Sequence, residues 1–126
     1  MITFLIGRIL FGGFFFLSGL NHFKNYNGSV GYARMKGVPM PSVAVLGSGA
    51  LILLGGVGVI LGVATAWSLY AIVLFLVPVT LSMHRFWTIA DPMQKMGEQI
   101  NFMKNIALLG AALALLSVPT PWVLSL

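Results

Sequence analysis

The chain has 126 residues, of which 59% are hydrophobic and only 7% are charged. A soluble domain usually has about 25% charged residues, so seven Lys and Arg with two Asp and Glu are too few to keep this chain in water. The basic residues are scattered between apolar runs, which excludes the basic patch of a nucleic-acid-binding protein. The absence of cysteine excludes disulfides, thiolate metal sites and iron–sulfur clusters. Composition therefore predicts an integral membrane protein whose partner is the lipid bilayer.

Four apolar runs are long enough to cross a bilayer, which takes about 20 residues per helix. Residues 41–83 contain no charged residue and are about twice that length, so they predict a hairpin of two helices that turns at 62–66. The last helix is expected to begin before its apolar run, because Asp91 followed by Pro92 is typical of an N-cap with Pro at the first helical position. The chain is thus predicted to be all-α, a four-transmembrane-helix bundle forming a single membrane domain over residues 1–126. The spans are predicted at approximately 2–21, 41–62, 66–85 and 101–118.

The charges of the loops predict the orientation in the membrane. Both termini and the 62–66 turn are free of basic residues, apart from Arg8 within the first span. The two long loops and their edges contain the others, and the positive-inside rule then places these loops in the cytoplasm and both termini outside. These basic residues are Lys24, Arg34, Lys36, Arg85, Lys95 and Lys104.

Arg8 is an ionisable residue two turns inside the first span, where a charge is costly and marks a functional site by default. Its side chain either reaches the outer interface along the helix or binds an acceptor within the bundle. That acceptor would be a lipid headgroup, a quinone carbonyl or exposed backbone carbonyls. The two acidic residues, Asp91 and Glu98, are predicted on the opposite side of the membrane and are no partners for it.

Small residues form stripes on the first two spans. Gly12 and Gly19 share one face of the first span with Arg8, and Gly55 and Gly58 share a face of the second. Such stripes let membrane helices approach closely. We interpret them as packing contacts, and surplus stripes also favour a homo-oligomer.

Polar side chains gather at the cytoplasmic ends of the predicted spans. Their common depth follows from the topology, and their convergence on one cavity is a hypothesis. Tyr70 shares a face of the third span with Thr80 and is also a candidate ligand-binding residue. The cluster consists of Asn21, His22, His84, Arg85, Asn101, Lys104 and Asn105.

His22 and His84 are the residue type that ligates haem from two helices. Each lies at a helix end beside a basic residue, and neither helix has a second His, so haem is disfavoured. A metal site is not expected, because the chain has no Cys and we expect no acid beside either His. Imidazole titrates near neutrality, but the sequence shows no partner for acid–base chemistry, and catalytic residues stay unassigned.

Six short motifs follow one another along the chain. They are residues 7–12 (GRILFG), 18–23 (SGLNHF), 37–39 (GVP), 54–56 (LGG), 84–87 (HRFW) and 101–110 (NFMKNIALLG). Single motifs are weak, but their order is specific. This order resembles the DoxX family, and the resemblance extends over nearly the whole chain.

The resemblance implies a four-span protein of a prokaryotic inner membrane. Members are described as oxidoreductases or as membrane partners of soluble redox enzymes. Some are linked to thiosulfate:quinone oxidoreduction and others to resistance against quinones or oxidants. Many relatives have a Glu before the Gly-Gly pair of the second span, where this chain has only apolar and small residues at 49–54, so any role of that Glu in proton relay is in doubt here. The signature positions implied are Arg8, His84, Trp87, Lys104 and Asn105.

Two classes of function are consistent with these residues. The first is a redox-associated protein that binds a quinone or similar lipophilic ring and anchors a soluble redox partner; the sequence shows no redox centre of its own. The alternative is a small transporter or lipid-binding protein, or a non-catalytic scaffold. The candidate ligand-binding residues are Arg8, His22, Tyr70, His84, Trp87, Asn101, Lys104 and Asn105.

Overall fold

The computed structural model describes residues 2–125, which form helices and a 3₁₀ turn at Phe86–Thr88, with no strand among them. Four of the helices are long and apolar enough to cross a membrane, and α2 is the short one. The predicted all-α bundle of four membrane-spanning helices is confirmed, and the protein is a multi-pass membrane protein. The helices are α1 (Ile2–Lys24), α2 (Tyr26–Met35), α3 (Pro41–Leu61), α4 (Thr65–Met83) and α5 (Pro92–Leu116).

The hairpin turn and the start of α5 lie where the sequence predicts them. Gly62, at φ 72°, ends α3 in the left-handed conformation that favours glycine. Asp91 caps α5, and its carboxylate accepts a hydrogen bond from the backbone N–H of Gln94 at 2.9 Å. Because Pro92 needs no N–H partner at the first helical position, the helix begins there, nine residues before the start of the predicted span at 101.

Helix α2 is a difference from the prediction, which treats the segment between the first two spans as a loop. It is short and rich in polar residues and glycine, so it does not have the signal of a span. Its Val30 and Ala33 are buried against Val45 of α3 and Met83 of α4. These contacts place α2 across one end of the bundle.

Glycines bring the backbones of α1 and α3 close together, and the contact between these two helices is the most extensive of the described helix pairs. A Cβ added at Gly12 would lie 2.6 Å from the carbonyl oxygen of Gly56, and one added at Gly19 would lie 2.8 Å from that of Gly49. Lipid provides no hydrophobic drive between helices, so this close backbone approach supplies the packing. The stripe predicted on α1 thus forms the contact with α3, whereas Gly55 of α3 faces α4.

The remaining helices continue the series, with α3 packed on α4 and α4 on α5. Large side chains that point away from this core are exposed, among them Leu10, Leu54 and Trp67 at 70%, 68% and 78%. An apolar exterior of this kind fits a lipid environment. The core cluster between the helices contains Phe15, Ile52, Val59, Leu69, Ile72, Leu76, Ala112 and Trp122.

Candidate functional site

A cavity of about 780 Å³ lies between α1, α3, α4 and α5, at the end of the bundle that α2 crosses. Most of its wall is apolar, with aromatic rings such as Phe14 and Phe75 and aliphatic side chains from α3 and α4. Its polar groups come from different helices. They include His22 and Asn21 of α1, Tyr32 of α2, Ser48 of α3, His84 after α4, and Lys104 and Asn105 of α5.

The helices α1 and α5 stand at the two ends of the packing series and are not packed closely on each other. Residues of both line the cavity, and we infer that it opens sideways between them. Phe14 and Leu17 of α1 line the cavity, yet they are 40% and 64% exposed on the outer surface. On the other side of the opening, Nζ of Lys104 lies 5.3 Å from the centre of the Phe14 ring. Since these helices are the ones that cross the membrane, the opening faces lipid.

His22 is held against α3 by two polar contacts. Its Nδ1 lies 3.2 Å from the carbonyl oxygen of Val45 and 3.3 Å from the hydroxyl of Ser48. The ring fits there because position 49 is glycine: a Cβ at Gly49 would lie 2.8 Å from Cβ of His22. The ring therefore has a defined position in the cavity wall.

Asn105 and Lys104 bring hydrogen-bond donors into this mostly apolar space. Asn105 is 5% exposed, and no residue within 2–125 forms a hydrogen bond with its amide. Because Asn105 lines the cavity, the hydrogen-bonding capacity of its amide is available to a ligand with a polar group. Lys104 makes no ion pair with a described carboxylate and contacts the face of Phe14.

Glu98 of α5 is the centre of a polar cluster next to the cavity. The residue is only 9% exposed, and its carboxylate lies 3.1 Å from Nζ of Lys36 and 3.3 Å from Nδ1 of His84. It also accepts hydrogen bonds from the hydroxyl of Tyr32 at 3.1 Å and from the amide of Asn101 at 3.1 Å. One carboxylate thus joins α2, the end of α4 and α5.

This cluster corrects one inference from the sequence, namely that no acid stands beside either His. Glu98 is 14 residues from His84 in the chain, and the connection through the 3₁₀ turn folds α5 back so that the two side chains meet. A signal for Glu98 is nevertheless present in the sequence. Residues three and four apart share a helix face, so the spacing of Glu98, Asn101 and Asn105 places Glu98 on the same face as the two asparagines. The sequence interpretation used only the latter two.

Tyr32 is fixed in the cluster as a neutral donor. Burial and the neighbouring Glu98 carboxylate raise the pKa of Tyr32 to about 12. The phenol therefore keeps its proton at physiological pH, and its hydroxyl donates a hydrogen bond to the Glu98 carboxylate. Sequence reasoning missed Tyr32, since α2 itself was not predicted.

Arg8 lies near the other end of the bundle and does not line the cavity. It is 1% exposed, so it does not reach the interface, and its guanidinium donates to the carbonyls of Val59 and Ile60 at the end of α3. It also donates to the carbonyls of Val123 and Leu124 in the C-terminal segment. The acceptors that Arg8 binds within the bundle are therefore backbone carbonyls.

Two further candidates lie away from the cavity. Tyr70 is 55% exposed and contacts Trp67 on the outer surface of α4. Trp87, in the 3₁₀ turn, is 52% exposed and packs edge-on against Phe86 and Phe102. Asn101 does not line the cavity either, and its amide donates to Glu98. The structure therefore groups four of the eight candidates, His22, His84, Lys104 and Asn105, along one cavity.

Comparison with known proteins gives one finding. Residues 3–85 match the DoxX family, a range that contains α1 to α4 and ends before α5. The similarity noted for 101–110 lies outside this match and stays a prediction. No curated protein and no solved structure matches the chain. Because the matched residues make up more than half of the chain, the protein belongs to the DoxX family.

Proposed function

We propose that the protein binds a quinone-like ring, or a lipophile of similar shape, in the cavity between α1 and α5. The observation that carries this proposal is the form of the cavity: an apolar, aromatic-lined space with a polar end and a lateral opening toward lipid. Its volume of about 780 Å³ lies within the range of roughly 300–1,000 Å³ typical of small-molecule sites.

The polar groups fit the oxygens of such a ring. A quinone carbonyl is an acceptor, and the Asn105 amide and the Lys104 ammonium are donors on adjacent positions of α5. The ring would pack on Phe14 and Phe75, while a hydrocarbon tail would extend into the bilayer through the opening. A redox role would rest on the bound ring, and a soluble redox partner would approach from the α2 side.

Photoaffinity labelling tests this proposal. We expect an azido-ubiquinone probe, added to the protein in lipid nanodiscs, to label peptides that line the cavity and to be displaced by decylubiquinone. Asn105→Leu is expected to weaken the displacement about tenfold, since one hydrogen bond is worth about 1–1.5 kcal/mol. Asn27→Leu, at an exposed position of α2, is the matched control and is expected to have no effect.

Labelling spread over the lipid-facing surface, without displacement, would contradict ring binding and favour the scaffold alternative. Lys104 gives one reason to keep lipid binding as a second candidate, because it presents a cation at the lipid-facing opening without a carboxylate partner among residues 2–125. In that case phosphatidylglycerol would displace the probe more effectively than decylubiquinone, and Lys104→Met would abolish the difference.

We infer an inner-membrane orientation with α2 and the α4–α5 connection in the cytoplasm. Because the chain contains no cysteine, single cysteines can report it. We expect an impermeant maleimide to label Thr120→Cys on spheroplasts, and to label Gln94→Cys only after the membrane is permeabilised. Both positions are exposed. The reverse pattern would invert the orientation, and the cysteine-free protein is the control for background labelling.

A further inference from the structure

The hydrogen bonds of Glu98 fix the proton position on His84. Glu98 forms an ion pair with Lys36 at 3.1 Å, and Tyr32 and Asn101 donate to it as well. A carboxylate in this setting is ionised and can only accept hydrogen bonds. The Nδ1 atom of His84, 3.3 Å from Oε2 of Glu98, must therefore carry the hydrogen of that contact.

The other ring nitrogen of His84 is then left for the cavity. The ring lines the cavity, and within residues 2–125 its hydrogen bonds involve Nδ1 alone. In a neutral imidazole with a hydrogen on Nδ1, the Nε2 atom is an acceptor. His84 follows the last residue of α4 and lies outside regular helix, so the contact with Glu98 is what orients the ring.

We propose that His84 accepts a hydrogen bond from a ligand hydroxyl, with Glu98 as its positioning residue, so that the cavity prefers a phenol or quinol over the corresponding methyl ether. This inference rests on the proposed function, because it concerns the same cavity. The wall then offers an acceptor at His84 and donors at Lys104 and Asn105. A ligand ring with one hydroxyl and a second oxygen on the opposite ring carbon supplies a donor for His84 and an acceptor for Lys104 or Asn105.

Competition between two matched compounds tests the inference. We expect 4-heptylphenol to displace the azido-ubiquinone probe at a concentration about tenfold lower than 4-heptylanisole, since the ether leaves the buried acceptor unpaired. Glu98→Gln is expected to remove this preference: the amide can donate to Nδ1, which places the imidazole hydrogen on Nε2 and turns the acceptor into a donor. His84→Phe is expected to remove the preference as well.

Asp91→Asn is the matched control for Glu98→Gln. It replaces the other acidic residue of the chain, an exposed helix cap that takes no part in the cluster. The variant is expected to keep the tenfold preference for the phenol. A loss of preference in Asp91→Asn equal to that in Glu98→Gln would overturn the role of Glu98.

A second measurement does not depend on the variants. The chain has two histidines, so 15N NMR of the histidine-labelled protein resolves both rings, and His22→Gln assigns them. At a pH where imidazole is neutral, we expect the hydrogen of His84 on Nδ1, the less common tautomer in water. A hydrogen on Nε2 in the unmodified protein would overturn the inference.

The outcomes separate this inference from the proposed function. If the phenol and the ether displace the probe equally, the hydroxyl preference is wrong and ring binding stands. If neither these compounds nor decylubiquinone displaces it, ring binding fails and the hydroxyl preference fails with it. A tenfold preference that depends on both His84 and Glu98 supports the two proposals together.

Discussion

Replacing Arg8 with Met is expected to lower the free energy of unfolding by roughly 3 kcal/mol or more and to release the C-terminal segment from the bundle. The guanidinium connects α1, the end of α3 and residues 123 and 124. A methionine of similar length fills the space but donates no hydrogen bond. Four backbone carbonyls would lose their donor at the same time.

The position of Arg8 explains why the cost is large. The last carbonyls of a helix have no partner within it and form the negative end of the helix dipole. Arg8 donates to Val59 and Ile60 in the last turn of α3, and it lies 5.5 Å from the ring of Trp122. A buried cation is thus compensated by oriented carbonyls and an aromatic face, and no carboxylate within residues 2–125 pairs with it.

Thermal unfolding and fluorescence in detergent measure the effect. In a background with Trp67→Phe and Trp87→Phe, Trp122 is the remaining tryptophan, and it is 3% exposed. We expect its emission to shift to the red in Arg8→Met below the unfolding temperature, as the segment detaches. Arg34→Met, at an exposed position of α2, is the control. An unshifted Trp122 in a stable Arg8→Met protein would contradict the clamp described for Arg8.

Replacing Gly12 with Ala is expected to destabilise the bundle by about 1–3 kcal/mol, the range of overpacking in a well-packed interior. The added Cβ would lie 2.6 Å from the backbone oxygen of Gly56, and backbone cannot rotate away as a flexible side chain can. The α1–α3 pair would have to separate by several tenths of an ångström. Because both helices line the cavity, we also expect weaker displacement of the quinone probe.

Gly13→Ala is the adjacent control. A Cβ at Gly13 meets no atom within 4 Å, and alanine favours helix over glycine by about 1 kcal/mol, so this variant is expected to be neutral or slightly more stable. The melting temperatures of the two variants can be compared in the same detergent. Equal stability of Gly12→Ala and Gly13→Ala would show that the α1–α3 contact is looser than described here.

The membrane-spanning architecture could be predicted from sequence because its causes are local. An uncharged stretch as long as 41–83 has to cross the bilayer twice, and Gly62 stands where the chain must reverse. The N-cap at Asp91 is likewise a property of adjacent residues. Each of these features can be identified without knowing which helices are neighbours.

The candidate site could be predicted only in part, because it depends on neighbours that are distant in the chain. His22 and His84 lie at the ends of α1 and α4, as the topology predicts, whereas Lys104 and Asn105 lie further along α5 than Glu98, which contacts His84, because α5 begins at Pro92. The role of Glu98 depends on the way α5 and α2 approach the end of α4, and no local pattern encodes that approach. Tyr70 is predicted to share a helix face with Thr80, but Thr80 is buried and Tyr70 lies on the outer surface. A shared face in the sequence therefore does not ensure a shared environment.

Arg8 could likewise be identified from the sequence, but its binding partners could not. Its cost in a membrane singles it out in the sequence, but its partners are carbonyls of residues 51 to 116 positions away. A residue can therefore be conspicuous in sequence for its energetic cost and still act in packing. The ionisable side chains that line the cavity, among them His22, His84 and Lys104, are nearer the opposite end of the bundle.

The lateral opening bordered by Phe14 and Leu17 determines which compartment supplies the cavity. A lipophilic molecule that enters there exchanges with the bilayer and not with the aqueous phase. Its relevant concentration is the mole fraction in lipid, which for a strongly partitioning compound far exceeds its total concentration in suspension. A site of modest intrinsic affinity can then stay filled in the cell. Dissociation constants expressed as total concentrations will scale with the concentration of lipid, so affinities are comparable only between samples at the same lipid concentration.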